Sequence, residues 1–98
     1  MLYTRPMATA HSLVTLSDTS ATRLTPLGAH GGMDITLQNV NATGYIYIGG
    51  EGTTSSNYGF RIMPNHSISF ELPSNDALYA TSSVNSMNVA IIQISLEP

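Results

Sequence analysis

Met33-Asp34-Ile35-Thr36-Leu37-Gln38 alternates large apolar and polar side chains at every step. Successive side chains of an extended chain point to opposite faces, so Met33, Ile35 and Leu37 line one side of a strand and leave Asp34, Thr36 and Gln38 on the other. Ser67-Ile68-Ser69-Phe70-Glu71-Leu72 repeats the pattern. Both stretches read as half-buried strands, with Phe70 in the core, where truncation to alanine is expected to cost about 3–5 kcal/mol. Tyr45-Ile46-Tyr47-Ile48 is apolar on both parities, which predicts a central strand whose tyrosines lie between layers or face a partner. Near the C-terminus Met87, Val89 and Ile91 share one parity, while Ile92, Ile94 and Leu96 share the other. One inserted residue produces such a switch, so a β-bulge is predicted near Ile91 and Ile92.

Weaker strand patterns occupy residues 11–17, 21–25, 58–63 and 77–81, which brings the total to about eight short strands. Turn chemistry separates them. Asn41-Ala42-Thr43-Gly44, with Gly44 free to take positive φ, is predicted to close a hairpin that makes the Ile35 and Ile46 strands neighbours. Pro64-Asn65 suits the two central positions of a tight turn, and Pro73-Ser74-Asn75-Asp76 does similar work. Gly49 and Gly50 end one strand, and Gly59 precedes the next. His66 follows the Pro64-Asn65 turn on the parity of Ile68 and Phe70, so it is expected to be half-buried at a strand start. Val, Ile, Thr, Tyr and Phe supply 30 of the 98 residues, and no long helical pattern intervenes. The fold class is therefore all-β: an antiparallel β-sandwich, jelly-roll-like. Residues 11–98 are read as that single domain, and residues 1–10, which contain Pro6 and no strand pattern, as an N-terminal arm reaching at most ~33–36 Å when extended.

Charged residues make up only 9% of the chain, lysine is absent, and Ser, Thr and Asn number 30. The surface must therefore be mainly hydroxyl and amide. Nucleic-acid binding draws on clustered cations, whereas Arg5, Arg23 and Arg61 lie far apart in sequence, so no nucleic-acid partner is expected. The longest apolar runs span about four residues against the roughly 20 of a membrane helix, so no membrane crossing is expected. The residues after Arg5 are too polar for the apolar stretch of a secretory signal. With no cysteine there is no disulfide, thiol nucleophile or Cys-based zinc site. His11, His30 and His66 are scattered, and only His30 and Asp34 approach a ligand-like spacing, so neither metal nor cofactor is expected. Gly49-Gly50-Glu51-Gly52 lacks the further glycine, lysine and helix of a phosphate loop. No strained serine elbow occurs, and none of Asp18, Asp34, Asp76, Glu51, Glu71 and Glu97 is nominated as half of an acid pair, so no enzyme is expected. The sequons at Asn41 and Asn65 match the number that chance provides in so Ser/Thr-rich a chain. One consequence of the composition is positive: a β protein with so few surface charges lacks the usual protection against association, and assembly with other subunits is expected.

From Asp34 onward, about two thirds of the chain, a string of short motifs carries a resemblance. They are Asp34-Ile35-Thr36-Leu37-Gln38-Asn39-Val40, Gly44-Tyr45-Ile46-Tyr47-Ile48-Gly49-Gly50, Thr53-Thr54-Ser55-Ser56-Asn57-Tyr58-Gly59-Phe60, Met63-Pro64-Asn65, Ile68-Ser69-Phe70-Glu71-Leu72 and Asp76-Ala77-Leu78-Tyr79-Ala80. Their order resembles small β-sandwich structural proteins of tailed bacteriophages that decorate or cement the capsid. The resemblance implies a non-enzymatic virion protein, assembled in the host cytoplasm, whose partner is the major capsid protein or another virion protein. It also implies a homo-oligomer, with a trimer favoured. Gly44, Gly49, Gly50, Gly59, Pro64 and Asn65 then shape turns, and Tyr3, Arg5 and Met7 of the arm are the candidate capsid contacts. The rival expectation is a carbohydrate-binding or tail- and fibre-associated module in which Tyr45, Tyr47 or Tyr58 stacks on sugar rings.

Overall fold

The computed structural model describes residues 7–25 and 31–96. Eight strands form: β1 (Met7–Thr15), β2 (Thr22–Arg23), β3 (Met33–Asn39), β4 (Ile46–Gly49), β5 (Phe60–Ile62), β6 (Ser67–Leu72), β7 (Tyr79–Ser82) and β8 (Asn88–Leu96). They pair antiparallel in two four-stranded sheets, ordered β1-β8-β3-β6 and β2-β7-β4-β5. Each connection crosses from one sheet to the other except the β4–β5 hairpin, and this interleaving is the strand order of a jelly roll.

Alternation decides which side of each sheet is buried. Ile35 and Leu37 of β3 and Val89 and Ile91 of β8 are buried and face Ile46 and Ile48 of β4 and Ile62 of β5 across the interlayer space. β-Branched side chains suit this surface because their restricted χ1 loses little on ordering. β4 is central in its sheet, with Ile46 and Ile48 inward and Tyr45 and Tyr47 half-buried on the outer side. The predicted strands at residues 11–17, 21–25, 58–63 and 77–81 correspond to β1, β2, β5 and β7.

Four expectations are corrected. The Asn41-Ala42-Thr43-Gly44 segment does not close a hairpin: β3 and β4 lie in different sheets, and the segment carries the chain between them. Gly44 does adopt positive φ, +89°, and a Cβ there would lie 2.7 Å from the Met87 sulfur. No bulge occurs near Ile91 and Ile92, because β8 pairs in unbroken register with both β1 and β3. The apolar parity switch instead marks Ile92 and Ile94 turning outward, 49% and 39% exposed. Phe70 keeps the inward parity but is only half-buried: it sits on the edge strand β6, where its ring meets exposed Phe60 edge-on at 6.3 Å. His66 is exposed, since it closes the turn ahead of β6 and its N–H donates to Met63 O at 3.1 Å.

The other turn positions behave as their chemistry dictates. Pro64 and Asn65 fill the middle of the Met63–His66 turn with Asn65 at φ 63°, and Asn75 takes φ 64° in the turn closed by Asp76 N–H to Pro73 O. In the β4–β5 loop, the Thr53 hydroxyl donates to Gly50 O at 2.6 Å, and a Cβ on Gly49 would lie 2.6 Å from that same hydroxyl oxygen. Gly59 N–H donates to Ile48 O at 2.9 Å, whereas Gly50 faces open space. The predicted arm divides: residues 1–6 lie outside the described residues, and Met7–Ala10 are strand, paired with Leu96–Gln93 of β8.

One buried polar side chain ties the layers together. Asn39, at the end of β3 and fully buried, donates through Nδ2 to Gly44 O and to Ile62 O, both at 3.1 Å. Its Oδ1 accepts from the Asn41 backbone N–H at 3.1 Å and from Asn41 Nδ2 at 2.8 Å. Asn41 Nδ2 also donates to Asn88 O at 2.7 Å, and Asn41 Oδ1 accepts from Asn88 N–H at 3.2 Å. Removing the Asn39 amide orphans the buried Ile62 carbonyl on β5 and the part-buried Gly44 carbonyl of the crossing segment, so Asn39→Ala is expected to destabilise the fold by about 2–3 kcal/mol. Gly50→Ala, by contrast, is expected to stay within ~0.5 kcal/mol of the parent. Urea denaturation of both variants checks this ordering, and comparable midpoints would remove Asn39 from the account. In the same assay Phe70→Ala is expected to fall below the roughly 2–5 kcal/mol of Ile35→Ala, because its ring is already half in water.

Candidate binding surfaces

The register of the second sheet places Tyr47, Tyr79, Arg23 and Arg61 on one face, and ring contacts bring Tyr45 and Tyr58 to it. Tyr47 stands opposite Arg61 on β5 and opposite Thr81 on β7, and Tyr79 stands opposite Arg23 on β2. The Tyr47 and Tyr58 rings are tilted by 44° with centroids 4.6 Å apart, and the Arg61 guanidinium lies 4.8 Å from the Tyr45 ring centre. Inward Ile46 and Ile48 leave Tyr45 and Tyr47, on the opposite parity, outward, and the β4–β5 hairpin folds Tyr58 back beside Tyr47. Arg23 donates through Nε to Thr25 O at 3.1 Å. Aromatic faces flanked by guanidinium groups stack on ring-shaped or planar ligands and hydrogen-bond to hydroxyl or carboxylate oxygens. The sequence nominated Tyr45, Tyr47 and Tyr58 as separate possibilities; the fold brings them together. Arg61 and Tyr79 were not nominated, since only cross-strand register shows that they join the group.

The outer face of the first sheet is of a different kind. Leu13 of β1 is 64% exposed and, with Ile92 and Ile94 of β8, forms an apolar stripe along adjacent strands. Beside it β3 and β6 offer Thr36 and Ser69, whose hydroxyls meet at 2.7 Å, and the carboxylates Asp34 and Glu71 on directly opposed residues. Those four residues and Phe70 line an open depression of about 410 Å³. No acid pair was nominated from sequence, and register brings this one together; both groups are exposed on a flat sheet face. Like charges so placed repel weakly.

A smaller depression of about 250 Å³ opens between β1 and β2, lined by Ala10, His11, Ser12, Leu24, Thr25 and Gln93. The buried Thr25 hydroxyl has no hydrogen-bond partner among the described residues. The glycine loop lines a third, about 140 Å³, with Thr53, Asn57 and Tyr58. Of the candidate capsid contacts, Tyr3 and Arg5 lie outside the described residues, and Met7 begins β1. His11 lies on β1 and His66 in a turn, and His30 lies outside the described residues. Among the described residues no three His, Cys, Asp or Glu side chains gather as a metal site, and no helix is long and apolar enough to cross a membrane.

Comparison with family models, curated proteins and solved structures finds no match to this chain. The tyrosine face makes a direct prediction: a Tyr47→Ala, Tyr58→Ala double-mutant cycle, read by thermal denaturation, is expected to give a coupling of about 0.5–1.5 kcal/mol. Additive losses would mean that the two rings do not interact.

Proposed function

We propose that the chain is a non-enzymatic structural protein of a virion, a capsid decoration or cement protein that docks through protein–protein contacts. The observation that carries the reading is the uncharged apolar stripe Leu13, Ile92 and Ile94 on the outer face of a sheet, where a solitary β-sandwich ordinarily presents polar residues. The motif order from Asp34 onward supports it, as does the strand order, since jelly rolls recur in capsid and lectin domains; that last support is analogy of fold alone. The mechanism is mechanical. Many copies, each attached through a modest neutral interface, together hold neighbouring capsomers against internal pressure. Tyr3, Arg5 and Met7 remain proposed contacts of the N-terminal segment, and the major capsid protein or another virion protein remains the proposed partner.

The Tyr45–Arg61 and Tyr47–Tyr58 contacts favour a second reading, a carbohydrate-binding or tail- and fibre-associated module whose outer tyrosine face stacks on sugar rings.

Co-sedimentation with virus shells lacking the protein tests the first reading. The parent chain is expected to pellet with the shells, and Ile92→Glu to weaken attachment by at least about tenfold while keeping its melting temperature. Removing residues 1–6 leaves β1 whole and is expected to weaken attachment as well. No co-sedimentation with shells or tails, together with saturable glycan binding abolished by Tyr47→Ala, would replace the first reading by the second.

A further inference from the structure

The two sheets have four edges, and three carry ordinary protection against pairing. β2 and β5 are two and three residues long, and β6 carries Glu71 and is bounded by Pro64 and Pro73. Short strands, charges and proline are the devices that stop a sheet edge from recruiting another strand. Within its length β1 has none of them, and Pro6 directly precedes it in the sequence. It runs nine residues, Met7-Ala8-Thr9-Ala10-His11-Ser12-Leu13-Val14-Thr15, with no proline, lysine or carboxylate, and its pairing to β8 is unbroken from end to end. Among the described residues no strand lies on its other side. Thr9 to Leu13 are exposed on both parities, including the inward positions Ala10 and Ser12, because the neighbouring edge of the second sheet is the two-residue β2.

We propose that β1 is a self-association edge whose partner is β1 of a second copy of this chain, paired antiparallel about a two-fold axis perpendicular to the sheet. Three observations select a second copy. An open run of backbone donors and acceptors is satisfied by an extended strand, and an antiparallel edge is complementary to itself. The strand holds no Asp, Glu, Lys or Arg, so self-pairing sets no carboxylates, ammonium or guanidinium groups opposite each other. The two-fold axis also keeps both outer faces on one side, so the Leu13, Ile92 and Ile94 stripes of the two copies form a single broader apolar surface. The register follows from length: pairing all nine residues places His11 opposite its own mate and Thr9 opposite Leu13 of the other copy. The two four-stranded sheets then join as one eight-stranded sheet across the dimer.

The inference stands apart from capsid docking, because it is read on the isolated protein. Sedimentation equilibrium of the full chain over a concentration series is expected to give a monomer–dimer equilibrium, and Leu13→Lys or Thr9→Lys a monomer at every concentration. Both substituted side chains are exposed, so circular dichroism should be unchanged, and the second variant stands in if the first fails to fold. The absence of cysteine makes the register readable. Under mild oxidation His11→Cys is expected to cross-link to itself. Thr9→Cys and Leu13→Cys are expected to cross-link when mixed and not alone, since each lies roughly 13 Å from its own mate in this register, beyond the ~7 Å limit of a disulfide. A monomer throughout, a trimer, a dimer indifferent to both lysine variants, or self-cross-linking at position 9 or 13 would each overturn the proposal.

Discussion

The amide of Asn39 is the constraint on which the two-layer arrangement depends. A jelly roll crosses between sheets at nearly every connection, and each crossing turns backbone groups away from the ladders that would have satisfied them. At the β3–β4 crossing, the Asn39 side chain supplies what the ladders do not. It reaches Gly44 O in the crossing segment and Ile62 O on β5, while Asn41 links it to Asn88 at the start of β8. Elements of both sheets therefore meet at one fully satisfied amide, and each donor and acceptor is placed by its neighbour. Such a junction specifies a single crossing geometry, which apolar contact alone, being non-directional, does not.

With that junction in place, the two outer faces diverge. In the second sheet Ile46 and Ile48 turn inward and Tyr45 and Tyr47 outward, so the hairpin that returns through Tyr58 and Arg61 builds an aromatic and cationic surface. In the first sheet, the long β1–β8 pair carries apolar side chains outward and ends in an edge without charge. A chain with so little charge keeps its outer surfaces available for contact, at the expense of the repulsion that usually maintains separation. Docking and self-pairing are two consequences of the same composition.

Much of this architecture was legible in the sequence, for physical reasons that also set its limits. Period-two alternation located β3 and β6 because one face of each is dry and the other wet, and Pro64-Asn65 located a turn because each residue has the backbone preference that its position needs. The partners of β3 were not legible. Asn41-Ala42-Thr43-Gly44 has the chemistry of a hairpin, yet the choice between a hairpin and a crossing is made by distant strands that must cover β3. Ile92 and Ile94 misled because an apolar residue on an outward parity looks like a shifted inward one unless a partner strand fixes the register. Asn39 lies on the parity of Met33, Ile35 and Leu37, so the alternation does reach it; its polarity ended the pattern before its position was used. The tyrosines were visible singly, whereas Arg61 and Tyr79 joined them only through cross-strand pairing.

Native-state hydrogen exchange tests the role of the Asn39 junction most directly, because it reads local opening without altering a side chain. The Asn39 N–H donates to His66 O, and the Asn88 N–H to Asn41 Oδ1. If the junction holds the layers together, both amides exchange only through global unfolding, with the protection of Ile35 and Val89 in the core. Rapid exchange of Asn39 and Asn88 beside protected Ile35 and Val89 would show that the crossing opens independently of the sheets, and would contradict the account.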